Sequence, residues 1–272
     1  MGLFYNNNVS GPGVSKNAPK KKPFFRFWEL FGNKFWDFFK INLIYFAFCI
    51  PIVTIGPATA AMTALMRNIY LERPQFFFHD FRKEFKKNFK QAFIVGLIDI
   101  FVIAMSVFSF MSFLLLKEMT STDAIVFAVS TAASVLFLIM NFYIYPQIVA
   151  LDLKLTDIFR NALVLSFLNI GPELIVLVFF VGYIFLVTNY PVFVLVLTPL
   201  LPLAWLGFLS VFCCYPAIQK HIINPYYEQS GEKNPEIPDY AEQAIFEDKG
   251  GSEEPIDLKN VNRKSSGNRK IK

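Results

Sequence analysis

Long uncharged stretches set the architecture of this chain. Between Lys40 and Arg67 there are 26 residues without a charged side chain, and residues 92–116 are interrupted only by Asp99. A short polar loop at 117–123 leads to a third apolar run at 124–151, and 46 uncharged residues extend from Leu174 to Gln219. A membrane-spanning helix needs about 20 consecutive apolar residues. The last stretch therefore holds two spans, expected at 162–187 and 191–219, with Thr188-Asn189-Tyr190-Pro191 as the turn. Pro199, Pro202 and Pro216 predict kinks in the final span. The first run suffices for one crossing and falls short of two. It is also broken by Pro51 and again by Gly56-Pro57, where a continuous helix would lose hydrogen bonds.

Between the apolar runs the periodicity changes to that of surface helices. From Phe24 to Lys40 the polar positions Arg26, Glu29, Asn33, Asp37 and Lys40 recur every three or four residues among nine Phe and Trp side chains. That pattern predicts an amphipathic helix lying in the headgroup region. Phe81, Phe85, Phe89 and Phe93 are spaced by four and interleaved with Arg82, Lys83, Lys86, Lys87 and Lys90, which predicts a basic helix along the membrane surface. Pro74 separates it from the preceding helix. Residues 152–161 form a third short amphipathic segment.

Composition agrees with this reading. The 272 residues are 54% hydrophobic, with a mean hydropathy of +0.43 and 33 Phe. The expected fold is all-α: a polytopic membrane helix bundle of about five apolar segments, with interfacial amphipathic helices. Residues 1–23 read as a polar flexible segment, 24–224 as the membrane domain and 225–272 as a largely disordered charged tail. The N-terminal residues carry no apolar run of the signal-peptide kind, and Asn6 stands where a myristoylation signal needs Ser or Thr. A formal charge of +5 comes from bases clustered at the ends of spans, so anionic lipid rather than nucleic acid is the expected partner. Cys49, Cys213 and Cys214 read as small buried hydrophobes. His79 and His221 have no ligand-spaced neighbours, so no metal or other cofactor is expected.

Loop charges address topology. Lys plus Arg number seven before the first run, seven between the first and second, then one, two and none, and nine after the last. The positive-inside rule places the loop at 67–91, the loop at 152–161 and the C-terminal tail in the cytoplasm. If the first run crosses fully, seven bases lie outside; if it dips in and returns, 25 of 26 lie inside. Three membrane entries share a short signature: Asp37-Phe38-Phe39-Lys40-Ile41-Asn42, Asn88-Phe89-Lys90-Gln91 and Asp157-Ile158-Phe159-Arg160-Asn161. The last two open inward-to-outward crossings, which favours the same direction for the first and hence a dip and return.

Two segments are familiar. Residues 49–61, Cys-Ile-Pro-Ile-Val-Thr-Ile-Gly-Pro-Ala-Thr-Ala-Ala, resemble the core motif of the YesL-like family of bacterial integral membrane proteins. The segment Phe76-Phe77-Phe78-His79-Asp80-Phe81-Arg82-Lys83, continued by Lys87-Asn88-Phe89-Lys90-Gln91-Ala92, is similar to the stretch that follows it in that family. The resemblance runs from about Phe24 to Tyr227 and leaves the C-terminal tail outside the usual pattern. It implies a Gram-positive cytoplasmic-membrane protein of unknown activity, encoded near sugar-uptake systems, and it assigns no catalytic residues. An accessory role in carbohydrate uptake, with sugar-transporter subunits as partners, follows as an expectation.

Ionisable groups inside spans are the best chemical pointers in a membrane protein. Here they are Asp99 and Glu173, with Asn141 and Asn169 as further polar intramembrane residues. They suit a polar path for a solute or ion; alternatively Asp99 snorkels to the interface and Glu173 satisfies backbone freed at Gly171-Pro172. The break formed by Pro51, Thr54, Gly56 and Pro57 either exposes helix-end amides to a ligand or makes a turn. Ala58, Ala60, Ala61 and Ala64 suit a tight helix–helix contact. No nucleophile–base pair or phosphate loop is present, so no enzymatic role is expected. A small independent transporter or channel is the alternative to an accessory subunit.

Overall fold

A computed structural model describes residues 22–115 and 120–236. Its eleven helices in that range are α1 (Pro23–Asn33), α2 (Phe35–Phe48), α3 (Ile55–Tyr70), α4 (Phe77–Lys87), α5 (Phe89–Leu115), α6 (Ser121–Ala150), α7 (Leu155–Leu168), α8 (Ile170–Asn189), α9 (Pro191–Leu197), α10 (Pro202–Ile218) and α11 (Asn224–Ser230). No strand occurs among the described residues. Four helical stretches have the length and apolarity to cross a membrane, beginning at Phe89, Ser121, Ile170 and Pro202. The chain is an all-α membrane helix bundle.

The first apolar run turns back on itself. Phe38 of α2 packs on Phe208 of α10 at 4.9 Å, and Asn42 reaches Ala204 and Thr198. Ascending α2 thus descends the numbering of α10, and the two are antiparallel. On α3 the order is reversed: Met62 lies against Gly207, while Arg67 and Tyr70 meet Tyr215. Helix α3 therefore runs parallel to α10 and antiparallel to α2, and the Tyr45 and Thr59 hydroxyls meet across the hairpin at 3.2 Å. With 14 and 16 residues, each arm is about 21–24 Å long at 1.5 Å per residue, short of a bilayer core. At the tip Ile50, Ile52 and Val53 are exposed, as suits an apolar turn immersed in lipid. This is the dip-and-return form of the first segment.

Helix α3 is the centre of the bundle, packing against α2, α4, α5, α6 and α10. Its small residues permit this: Ala58, Ala60 and Ala61 are fully buried and Ala64 nearly so. The closest approach is backbone to backbone, where Gly56 crosses Gly96 of α5. A Cβ on Gly96 would sit 2.7 Å from the Gly56 Cα, and one on Gly56 would collide with the Ala92 carbonyl oxygen. At its other end α3 closes in a Schellman turn. The Arg73 amide donates to the Asn68 carbonyl and the Glu72 amide to that of Ile69, with Glu72 left-handed at φ 56°. Arg26 of α1 donates to the Tyr70 carbonyl at 3.0 Å and pairs with Glu72, a cation placed on the negative helix end.

Several boundaries differ from the sequence-based expectations. The aromatic segment at 24–40 is two helices parted at Lys34, because Gly32 and Asn33 are poor helix formers. Phe27 is buried against Trp205, Phe208 and Phe212, while Phe24, Phe25 and Trp36 stay exposed. Helix α6 starts at Ser121, earlier than expected, because Thr120 and Asp123 form a reciprocal capping box. The fourth span is divided at Asn169 into α7 and α8. The fifth is divided at Thr198–Leu201, where Pro202 begins α10 at a position that needs no amide proton. Pro216 lies inside α10 and is followed by a π-turn at Gln219–Ile223, which carries the helix on through α11. Helix therefore replaces the expected disorder of residues 225–230, and Gly231 ends it at φ 69°. The remaining described residues, 233–236, belong to a second unit and hold a turn in which the Glu236 amide donates to Asn234. The expectations for residues 1–21 and 237–272 lie outside the described residues.

The glycine crossing makes a sharp prediction. Gly96→Leu should destabilise the detergent-solubilised protein by about 3 kcal/mol or more through overpacking. Gly182→Leu, where a Cβ meets nothing within 4 Å, should leave its melting temperature unchanged. Thermal aggregation profiles of the two variants check this.

Candidate functional site

The C-terminal third of α6 carries the sequence Asn141-Phe142-Tyr143-Ile144-Tyr145-Pro146-Gln147, and residues 142–149 are all buried. Residues two apart on a helix point to nearly opposite faces, and residues four apart share one. Asn141 and Tyr145 therefore face one side of α6, and Tyr143 faces the other with Gln147.

Each face holds one intramembrane carboxylate. On the first, the Asn141 amide donates to Asp99 Oδ1 at 2.6 Å and the Tyr145 hydroxyl donates to Oδ2 at 2.5 Å. Asp99 is half-buried on α5, two turns above Gln91, whose amide donates to the Leu153 carbonyl at 2.9 Å. On the second face, the Tyr143 hydroxyl donates to Glu173 Oε1 at 2.5 Å, and Asn169 Nδ2 donates to that hydroxyl at 3.1 Å. Glu173 is 1% exposed and Tyr143 fully buried, with the Cys214 thiol beside the tyrosine. Glu173 lies in the first turn of α8, where the helix end favours an acidic side chain.

The four polar residues singled out from sequence are thus drawn into two clusters by a single helix. What the sequence left unassigned is the pair of tyrosines. They read there as a polar-aromatic span exit, and the usable signal was their two-residue spacing, which addresses two faces at once. Among the described residues neither carboxylate forms an ion pair. Each is held only by neutral donors. A charged carboxylate at the centre of a span costs about 2.5–3.5 kcal/mol on the insertion scale, so these donors offset a substantial penalty. Asp99 does not snorkel; both its oxygens are engaged within the bundle.

The hairpin break has a different character. The Thr54 hydroxyl lies 2.6 Å from the Phe48 carbonyl and 2.7 Å from that of Pro51, closing the end of α2. Gly56 and Pro57 are buried, with the start of α3 pressed against the α5 backbone at Ala92 and Gly96. Pro51 is exposed at the tip. The start of α3 is thus pressed against α5 at Gly56, an arrangement that suits the turn alternative. Its polar neighbour is the Tyr45–Thr59 pair, and Tyr45 is within electrostatic reach of Asp99.

The basic helix α4 lies apart from both clusters. Phe81 is fully buried, its ring tilted against that of Phe48 at 5.0 Å, and Phe85 meets the same ring at 5.1 Å. The Phe81–Phe85 part of its apolar stripe packs into the bundle, while Phe78 and Phe89 stay exposed. Arg82, Lys83, Lys86, Lys87 and Lys90 remain exposed.

Residues 38–110 match the model of a family described as protein of unknown function, DUF624. That interval contains the re-entrant hairpin, α4, the glycine crossing and Asp99. No curated protein and no solved structure matches the chain.

The carboxylate clusters predict coupled stabilities. Tyr145→Phe should cost about 1–3 kcal/mol, the penalty for withdrawing a donor from a buried charged acceptor. The same change in an Asp99→Asn background should cost less, leaving an interaction energy of about 1 kcal/mol in the double-mutant cycle. Urea or heat titrations of the four proteins in one detergent measure it.

Proposed function

We propose that the protein is a small, independent transporter or channel that carries cations, protons foremost, along a polar path built on the two faces of α6. The observation that carries this reading is that Asp99 is held by the Asn141 amide and the Tyr145 hydroxyl, Glu173 by the Tyr143 hydroxyl, and neither by a base among the described residues. A carboxylate locked to arginine or lysine stays charged and occupied. One held by tyrosine and asparagine can exchange a proton or cation while its frame stays in place, which is what transport through a membrane interior requires. The preference over an accessory role comes from the joining of all four sequence-flagged polar residues through one helix.

The test is flux. Purified protein in liposomes, with a potassium diffusion potential and an internal pH dye, should acidify the lumen faster than empty liposomes. Asp99→Asn and Glu173→Gln should each lower that rate about 100-fold, as expected for loss of a proton-exchanging group. Wild-type flux equal to that of empty liposomes, or full flux in both variants, would sink the reading.

A second reading is favoured by α4. Phe81 and Phe85 of its apolar stripe already pack on Phe48, so its exposed basic face is free for an acidic partner or anionic lipid headgroups. With the resemblance to the YesL-like family, this supports an accessory protein in the cytoplasmic membrane of a bacterium, docking on carbohydrate-importer subunits. Mild-detergent purification of tagged protein should then recover transporter subunits. Reversing Arg82, Lys83, Lys86 and Lys87 to Glu should abolish recovery, and isolation of the protein alone would contradict this reading.

A further inference from the structure

Gln147 is the least explained polar residue of the bundle. It is fully buried, and neither its Nε2 nor its Oε1 has a hydrogen-bonding partner. An amide carries two donors and an acceptor, and burying them unmatched is costly enough that native interiors rarely tolerate it. Gln75 and Asn141 each leave one buried oxygen unmatched, but among the described residues Gln147 alone has both polar atoms of its amide buried and unpartnered. Asn42 is equally buried, yet it receives the Ala204 amide at 2.8 Å and donates to the Thr198 carbonyl at 2.7 Å.

The position of Gln147 gives the imbalance a direction. It stands one turn beyond Tyr143 on the same face of α6, and long helical side chains lean back over the preceding turn. A side chain with that lean extends over the turn that carries Tyr143. Pro146 adds a second polar group to that turn. Lacking an N–H, it leaves the Phe142 carbonyl without its helical donor. In the other direction, one further turn reaches the α6–α7 connection, where Asp152 and Lys154 are exposed. Gln147 stands midway between a buried acid and a solvent-facing loop.

We infer that Gln147 is the anchor of an internal water site, and that its waters connect the Tyr143–Glu173 pair to the α6–α7 loop as a proton-conducting thread. The inference rests on the cation path proposed above for its role, and on Gln147 itself for the site. Water fits the geometry because the amide needs both donors and acceptors, and a buried water supplies both through two to four bonds. A proton leaving Glu173 passes to the nearest water by exchange of O–H bonds and is released beyond Leu153, leaving Glu173 a carboxylate. Gln147 holds the waters and gives up no proton of its own, which makes it a positioning residue.

The site is tested on the full chain in liposomes by water-edited solid-state NMR, with the Gln147 side-chain amide assigned through its backbone link to Pro146. Expected is polarisation from water at nearly the rate of exposed Gln229. Build-up as slow as that of the buried Ala61 amide would overturn the inference, whatever the flux assays give. The thread is tested by Gln147→Met, close in size and without donors or acceptors. It should lower proton flux about ten-fold, as removal of a positioning group does, against the roughly 100-fold loss expected for Glu173→Gln. Unchanged flux in Gln147→Met overturns the thread. A hydrated Gln147 in a protein whose flux ignores Glu173→Gln contradicts the cation path and upholds the water site. Should Gln147→Met fail to fold, the wild-type NMR measurement decides the site alone.

Discussion

A peptide or carboxyl group inside a bilayer has no water to bond, so each must find its partner within the protein. That constraint bears hardest on this bundle because its helices are so often broken. The end of α2 is closed by Thr54 from beyond the break. The gap between α9 and α10 is closed by Asn42 of α2, which takes the free Ala204 amide and serves the Thr198 carbonyl. Tyr183 of α8 reaches the Thr198 hydroxyl at 2.8 Å from the other side. The last carbonyl of α3 is met by Arg26 of α1. The break after α2 is closed locally, while the α9–α10 gap and the end of α3 are tied to segments distant in sequence, so polar ties fix the packing together with the apolar contacts.

The same arrangement places the carboxylates. A hairpin that dips and returns brings α3 into the middle of the bundle, where its glycine and alanines let α5 approach to backbone contact at Gly96. One turn further along α5 stands Asp99, facing α6 and in reach of Tyr45 on the hairpin. The broken first segment and the α6 clusters are therefore parts of one structure. The break acts as a joint that positions α5, and the chemistry lies a turn away from it.

Much of this was legible in the sequence. The four spans followed from uncharged length, the returning hairpin from loop charges together with Pro51 and Gly56-Pro57, and the polar residues from their rarity in spans. Asn42 was not recognised, since a single asparagine at a membrane entry looks interfacial until the break that it bridges, more than 150 residues away, is known. Tyr143 and Tyr145 were hidden for a related reason: tyrosines near a span end suit the interfacial belt equally well. The division of the fourth span at Asn169 has a local cause in Pro172, which cannot bond the Leu168 carbonyl, but the bond from Asn169 to Tyr143 is tertiary and local propensity cannot reveal it. The apolar stripe of α4 suited lipid as well as protein, and only the position of Phe48 shows that Phe81 and Phe85 pack on protein.

The account stands on the return of the first segment, and side-specific cysteine labelling tests it most directly. In a background with Cys49, Cys213 and Cys214 replaced by Ala, single cysteines at the exposed positions Lys34, Lys83 and Thr122 would be treated with a membrane-impermeant thiol reagent in intact cells. The hairpin places Lys34 and Lys83 on one side and Thr122 on the other, so Thr122→Cys should react while the other two react only after permeabilisation. Reaction of Lys34→Cys together with Thr122→Cys, with Lys83→Cys protected, would mean that the first segment crosses the membrane and would contradict the account.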